Sequence, residues 1–227
     1  MEVKGISKKY GKKQVLGEIS FRAEKGKCIG IIGANGCGKS TLFRILAGAE
    51  KADSGSICIE GKQLVFGREK MQGIIGYVPQ DNALMEELSV KDNIELFTAL
   101  GKEKVEREFV KRLCEQFSVT CFMNEKVKKL SGGMKKRVSI VCALLSRPKV
   151  LIMDEPSAAL DLVFKEELKA YIKVFTAEGG IVLLSSHDKG EIEVCDERYV
   201  IQNGTIVPVG NTMSVEEITV KYMQKES

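Results

Sequence analysis

Short apolar runs open the chain, helically spaced apolar residues fill its middle, and short runs return toward its end. Residues 15–21 and 28–32 are brief apolar stretches divided by the Gly26-Lys27 turn, and each predicts a strand. Residues 39–47 carry T-L-F-R-I-L-A at helical spacing and stop at Gly48, a helix-ending glycine. Residues 57–59 alternate into Glu60-Gly61-Lys62 and predict a hairpin, so antiparallel strands accompany the first strand–helix unit. From 89 to 147 helical periodicity takes over. The first helix of this stretch opens with Ser89 and Asp92 in capping-box spacing, followed by Ile94, Leu96, Phe97 and Leu100. A later one spans about 134–146, with Val138, Val141, Cys142 and Leu145 on one face, and stops before Pro148. Residues 150–153 and 181–184 are continuous apolar runs, the pattern of central parallel strands buried on both faces. Asn203-Gly204 between residues 199–202 and 205–209 predicts a second hairpin. A terminal helix over 215–224 follows Ser214 and Glu217, again in capping-box spacing. The expectation is an α/β fold with no internal repeat.

One loop in this pattern carries chemistry. Residues 33–40 read G-A-N-G-C-G-K-S and lie between the strand at 28–32 and the helix at 39–47, the strand–loop–helix setting a phosphate loop requires. Backbone N–H groups wrap an anion only where side chains do not intrude, which accounts for Gly33, Gly36 and Gly38. The helix adds its positive N-terminal end. Lys39 is placed to reach the β- and γ-phosphates of a nucleoside triphosphate, and Ser40 to ligate the bridging magnesium. Asn35, Cys37 and Thr41 complete the expected nucleotide-binding set. Downstream, V-L-I-M-D-E at 150–155 is an apolar strand ending in two adjacent carboxylates. Because side chains alternate along a strand, Asp154 and Glu155 take different tasks: Asp154 steadies magnesium and Glu155 polarises the attacking water.

Composition narrows the partners. The 227 residues are 44% hydrophobic and 29% charged, with a net charge of only +4 and no long single-sign block, so nucleic acid is not expected. Seven scattered cysteines form no C-x-x-C or Cys/His cluster and read as reduced thiols without a structural metal. The sequence shows no signal-peptide pattern and no run of about 18 apolar residues, so any work at a membrane passes through another chain.

With these residues in place, the chain resembles the nucleotide-binding subunit of ABC (ATP-binding cassette) transporters over nearly its whole length. The element that carries the resemblance is Leu130-Ser131-Gly132-Gly133-Met134, similar to the family signature L-S-G-G-Q and lying between the two phosphate-site motifs. Its physics is legible directly: Ser131 caps a helix whose N-terminal end Gly132 and Gly133 leave open, a second anion site. Lys135, Lys136 and Arg137 then put cations in the first turn, against the macrodipole, either answering an anionic ligand or forming a solvated basic face. The resemblance implies a P-loop ATPase core with a mixed central sheet (residues 1–88 and 148–227, RecA-like), an antiparallel β subdomain and an inserted α-helical subdomain at 89–147. It implies ATP and Mg2+ as ligands. It also implies a homodimer or heterodimer in which the signature of one subunit closes over the phosphate loop of another, and a separate membrane permease holding the chain at the cytoplasmic face.

Further residues are carried over by position. Tyr10 in K-K-Y-G resembles the aromatic that stacks on adenine, and Gln80 in Y-V-P-Q the glutamine that senses magnesium and water. Asp161 in S-A-A-L-D resembles the loop that touches the partner subunit, and His187, the sole histidine, the γ-phosphate switch. Departures are Met134 for glutamine, Leu162 for proline and Ala159 for glycine. The run from 76 to 94 resembles cassettes paired with exporter-type permeases more than importer cassettes; a soluble cassette ATPase of the iron–sulfur assembly kind shares the same motifs. The positive loop is expected to lower the Cys37 thiol pKa, leaving it alkylation-sensitive until ATP covers it.

Overall fold

A computed structural model describes residues 1–64, 71, 73–101, 105–157, 160–210 and 213–223. Ala159 and Gln224 lie outside the described residues. Two sheets organise the chain. The first is antiparallel, β1 (Glu2–Tyr10), β2 (Lys13–Arg22), β4 (Ser54–Ile59) and β5 (Lys62–Leu64), in the order β2-β1-β4-β5. The second has six strands in the order β10-β9-β3-β8-β7-β6. Its members are β3 (Cys28–Ile32), β6 (Ile75–Val78), β7 (Val150–Asp154), β8 (Ile181–Ser185), β9 (Glu197–Gln202) and β10 (Thr205–Val209). All neighbours in it are parallel except β9 and β10, which form the antiparallel hairpin, so the sheet is mixed. The hairpin turns at Asn203 and Gly204, with φ of 51° and 75°, as a primed turn demands.

Strands β3, β7 and β8 are buried along their whole length, and their side chains alternate between two cores. Leu151, Met153, Val182 and Leu184 face the helical side; Val150, Ile152, Ile181 and Leu183 face the side holding the antiparallel sheet and α1 (Lys39–Leu46). Burial on both faces is why these segments read as continuous apolar runs. The helical stretch carries α2 (Val90–Leu100), α3 (Arg107–Gln116) and α4 (Gly132–Leu144), with no strand among its described residues. Ser89 and Asp92 form the expected reciprocal capping box on α2. α5 (Leu162–Ala177) and α6 (Lys189–Val194) precede and follow β8. The chain's last described helix, α7, covers only Val215–Ile218, and the backbone then widens into a π turn over Thr219–Met223. Ser214 and Glu217 still exchange the two capping hydrogen bonds. Among the described residues no helix is long and apolar enough to cross a membrane.

Candidate functional site

The residues singled out for phosphate chemistry follow the C-terminal ends of β3, β7 and β8, where open parallel sheets place their ligands. The Gly33–Ser40 loop leaves β3 and enters α1. Gly38 caps that helix at φ 114°, and no side chain caps it and no acidic residue sits in its first turn, so its backbone donors face whatever anion arrives. A Cβ on Gly33 would lie 2.5 Å from Cys37 Sγ and 2.9 Å from the Ile201 carbonyl oxygen, and one on Gly38 2.8 Å from Leu16 Cδ2. The loop therefore tolerates no side chain at either position. Lys39 is buried and curls across the loop, donating to the Gly33 carbonyl at 2.7 Å and the Ala34 carbonyl at 3.3 Å. Asn35 and Gly36 are exposed, Ser40 is half-buried, and Thr41 is buried, accepting from Arg44 Nη2 at 3.2 Å.

Cys37 departs from expectation. Burial pushes its thiol pKa up, and the opposing pull of the Lys39 ammonium is the smaller effect. The loop's positive charge does not outweigh burial at this thiol.

β7 ends at Asp154, and Glu155 takes φ 48°, which is how adjacent carboxylates come to serve different directions. That left-handed turn is pinned from β8: the Glu155 N–H donates to both the carbonyl and the hydroxyl of Ser185, each at 3.1 Å. The same hydroxyl donates to Asp154 Oδ1. Asp154 is 1% exposed and its other oxygen, Oδ2, has no hydrogen-bond partner. A buried carboxylate oxygen without a donor is a position a cation satisfies, and it fits the magnesium role expected of Asp154. Among the described residues no group of three His, Cys, Asp or Glu could cage a metal.

Glu155 gathers the remaining candidates. Gln80, just after β6, donates through Nε2 to Glu155 Oε2 at 3.2 Å, and His187 Nε2, just after β8, lies 3.5 Å from Glu155 Oε1. Three residues separated by up to 107 positions thus meet at one carboxylate. Sequence reading did not single out Ser185 as the residue joining Asp154 to Glu155; an apolar strand ending in two serines was the available signal. It also missed Glu191 on α6, which is 1% exposed with neither oxygen hydrogen-bonded in good geometry. Burial pushes its carboxyl pKa up, more than the nearby Ser186 and Ser157 hydroxyls pull it down.

Other expected positions stand apart. Tyr10, at the end of β1, is 45% exposed; its hydroxyl donates to the Glu50 carboxylate and Lys8 Nζ lies 5.5 Å from its ring centroid. Ser131 caps α4, accepting from the Met134 N–H at 3.2 Å, with Gly132 and Gly133 in the helix's first turn. Among the described residues no hydrogen bond joins the signature to the phosphate loop. α4 packs on β6 at the sheet edge, three strands from β3, or about 14 Å at ~4.8 Å per strand. The three cations after the signature do not form a solvated basic face. Lys135 pairs with Glu86 at 2.6 Å, Lys136 is buried, and Arg137 pairs with Asp161 at 2.9 Å while its guanidinium lies 3.9 Å from the Phe164 ring centroid. A groove of about 940 Å³ opens at the opposite ends of the strands, but its Lys25 and Lys149 are paired with Glu60, and it contains none of the phosphate-site residues.

Fold and site together define a P-loop nucleotide-binding protein. The ABC transporter family model matches residues 16–158. The spermidine/putrescine import ATP-binding protein PotA of Mycoplasma capricolum is 35% identical over 218 residues, covering 92% of this chain. The chain spans 61% of that relative's length. The linearmycin resistance ATP-binding protein LnrL of Bacillus subtilis is 34% identical over 216 residues, covering 92% of this chain and 68% of the relative. A solved ATP-binding subunit of an ABC transporter superposes with a TM-score of 0.86 at 29% identity, covering 97% of this chain and 98% of the other. The chain belongs to the ABC transporter family, whose ATP-binding cassettes hydrolyse ATP to power transport.

Proposed function

We propose that this chain binds ATP between two copies and hydrolyses it to drive a separate membrane permease, in the export direction. The observation that carries the reading is the meeting of Gln80, Glu155 and His187 beside the partnerless Oδ2 of Asp154. In that arrangement Lys39 and the loop N–H groups hold the phosphates, and Gln80 fixes one oxygen of Glu155. The carboxylate takes the proton of the water that attacks the γ-phosphorus, the bond to the β-bridging oxygen breaks, and ADP leaves with the electron pair. His187, 3.5 Å from Glu155, holds the γ-phosphate oxygens. Ser40, Gln80 and Asp154 would hold magnesium, which would neutralise phosphate charge there.

The separation of the signature from the phosphate loop supports a head-to-tail pair in which Ser131, Gly132 and Gly133 of a second copy complete each site. Leu162 and Val163, beside Asp161, are 74% and 68% exposed, a surface suited to that contact. Met85, Leu88 and Leu100 are exposed apolar side chains in the 80–100 segment and support permease docking there. Export rests on the likeness of residues 76–94 to exporter-type cassettes; of the two relatives, LnrL is named for resistance and PotA for import. Mg-ATP hydrolysis by the purified chain tests the assignment: Glu155→Gln is expected to lose turnover and retain ATP, and a variant that hydrolyses normally removes Glu155 from the role. Co-purification with a membrane permease, against soluble assembly factors, tests the coupling.

A further inference from the structure

We infer that Lys136 is a positioning residue, a buried strut that makes Gln80 and the signature helix move as one piece. This rests on the proposed role of Gln80 at the γ-phosphate. Lys136 lies one turn into α4 and is 3% exposed. Its ammonium donates to the main-chain carbonyls of Pro79 at 2.8 Å and Gln80 at 2.9 Å. The Gln80 side chain donates to Glu155. One continuous path therefore runs from Glu155 through the Gln80 amide, its own carbonyl and the Lys136 ammonium to the helix that Ser131 opens.

A lysine is a costly way to fill this space. Burying an ammonium against these carbonyls forfeits hydration that an apolar side chain would not lose, a loss that attraction from Asp154, Asp81, Glu155 and Glu191 only partly offsets. What it adds is direction: two convergent N–H donors fix both carbonyls relative to the helix axis, which methyl and methylene contacts do not. The neighbouring cations reinforce the same helix by different routes, Lys135 to Glu86 and Arg137 to Asp161, but neither reaches the Gln80 main chain. With the strut in place, a shift of Gln80 between nucleotide states tilts the signature. Docking the signature on a second copy equally sets Gln80, since coupling between sites is reciprocal.

Lys136→Met keeps an unbranched chain one bond shorter and removes the donors; Lys136→Arg restores two donors. Both are made in the native chain and with Glu155→Gln. The first measurement is amide exchange across residues 134–140 with and without Mg-ATP, on protein dilute enough to stay monomeric. The native chain and Lys136→Arg are expected to slow on nucleotide addition and Lys136→Met to show no change, although fluorescent ATP binds all three within about threefold. The second is ATP-driven dimerisation by sedimentation. The Lys136→Met/Glu155→Gln chain is expected to need about tenfold more protein than Glu155→Gln alone, and the arginine form close to none. Nucleotide-dependent exchange that survives Lys136→Met, or dimerisation at the unchanged protein concentration, overturns the strut. If Glu155→Gln itself stays monomeric with ATP, the dimer reading fails while the exchange measurement still decides the role of Lys136. Should Lys136→Met not fold, Lys136→Leu, which likewise has no donor, makes the same comparison.

Discussion

Ser185→Ala is the substitution whose effect follows most directly from the geometry. The hydroxyl is fully buried and serves two neighbours, donating to Asp154 Oδ1 and accepting from the Glu155 N–H. Its loss leaves Asp154 with neither oxygen paired to that strand, because Oδ2 already has no partner. The Glu155 N–H retains the Ser185 carbonyl, so the main loss is one hydrogen bond to a carboxylate, worth about 1.5–3 kcal/mol, with up to about 1 kcal/mol more for the stranded group. A deficit of roughly 2–4 kcal/mol lowers the melting temperature of a chain this size by roughly 5–15 °C. Urea denaturation of native, Ser185→Ala, Asp154→Asn and the double variant measures it, with an expected coupling of about 1–3 kcal/mol between the two positions. Magnesium should narrow the deficit, since a cation gives Asp154 a partner the alanine cannot. A Ser185→Ala chain within about 0.5 kcal/mol of native, or no coupling to Asp154, refutes the account of how the two carboxylates are held.

Three further outcomes follow. Gly33→Ala, whose Cβ meets Cys37 Sγ and the Ile201 carbonyl, is expected to weaken fluorescent-ATP binding by about tenfold or more, and an unchanged affinity contradicts the loop geometry. Glu191 has a folded-state pKa above its unfolded value, so its contribution to stability is present in full below the ordinary glutamate pKa of about 4.3 and lost as pH rises through the raised value; Glu191→Gln should therefore gain on native as pH rises, and parallel pH–stability curves contradict it. Cys37, with its thiol pushed up by burial, is expected to alkylate more slowly than exposed Cys121 by peptide mass mapping, and the reverse order would restore the activated thiolate.

What was legible in the sequence was whatever local chemistry demands. The glycines of residues 33–38, the cap at Ser131 and the strand ending at Asp154 are each required by a few consecutive residues, and each lies where the pattern puts it. β1 escaped notice because Lys4, Lys8 and Lys9 interrupt it, although it is the inner strand that joins β2 to β4 and buries only Val3 and Ile6 completely. β6 is four residues long with Gly76 within it, too short to show a period. Lys136 shows the deeper limit: three adjacent cations look alike in sequence, and only the approach of the Pro79–Gln80 turn tells the buried one from its neighbours. At Cys37 the sign depended on burial outweighing one nearby charge, a competition between residues that the linear order does not place together. The meeting of Gln80, Glu155 and His187 was implied by family resemblance; the physical reason for it is that β6, β7 and β8 are adjacent and parallel, so their ends open on the same edge.

The central claim is that the Gly33–Ser40 loop supplies one half of an ATP site and Ser131–Gly133 of a second copy the other. Two chains carrying Glu155→Gln test it when one also carries Lys39→Ala and the other Ser131→Arg. Neither should dimerise alone on Mg-ATP, because every pairing of like chains lacks one half of both sites. Mixed, they should form an ATP-dependent dimer, since one intact loop then faces one intact signature. A mixture that stays monomeric while the Glu155→Gln parent dimerises, or a single variant that dimerises unaided, contradicts it.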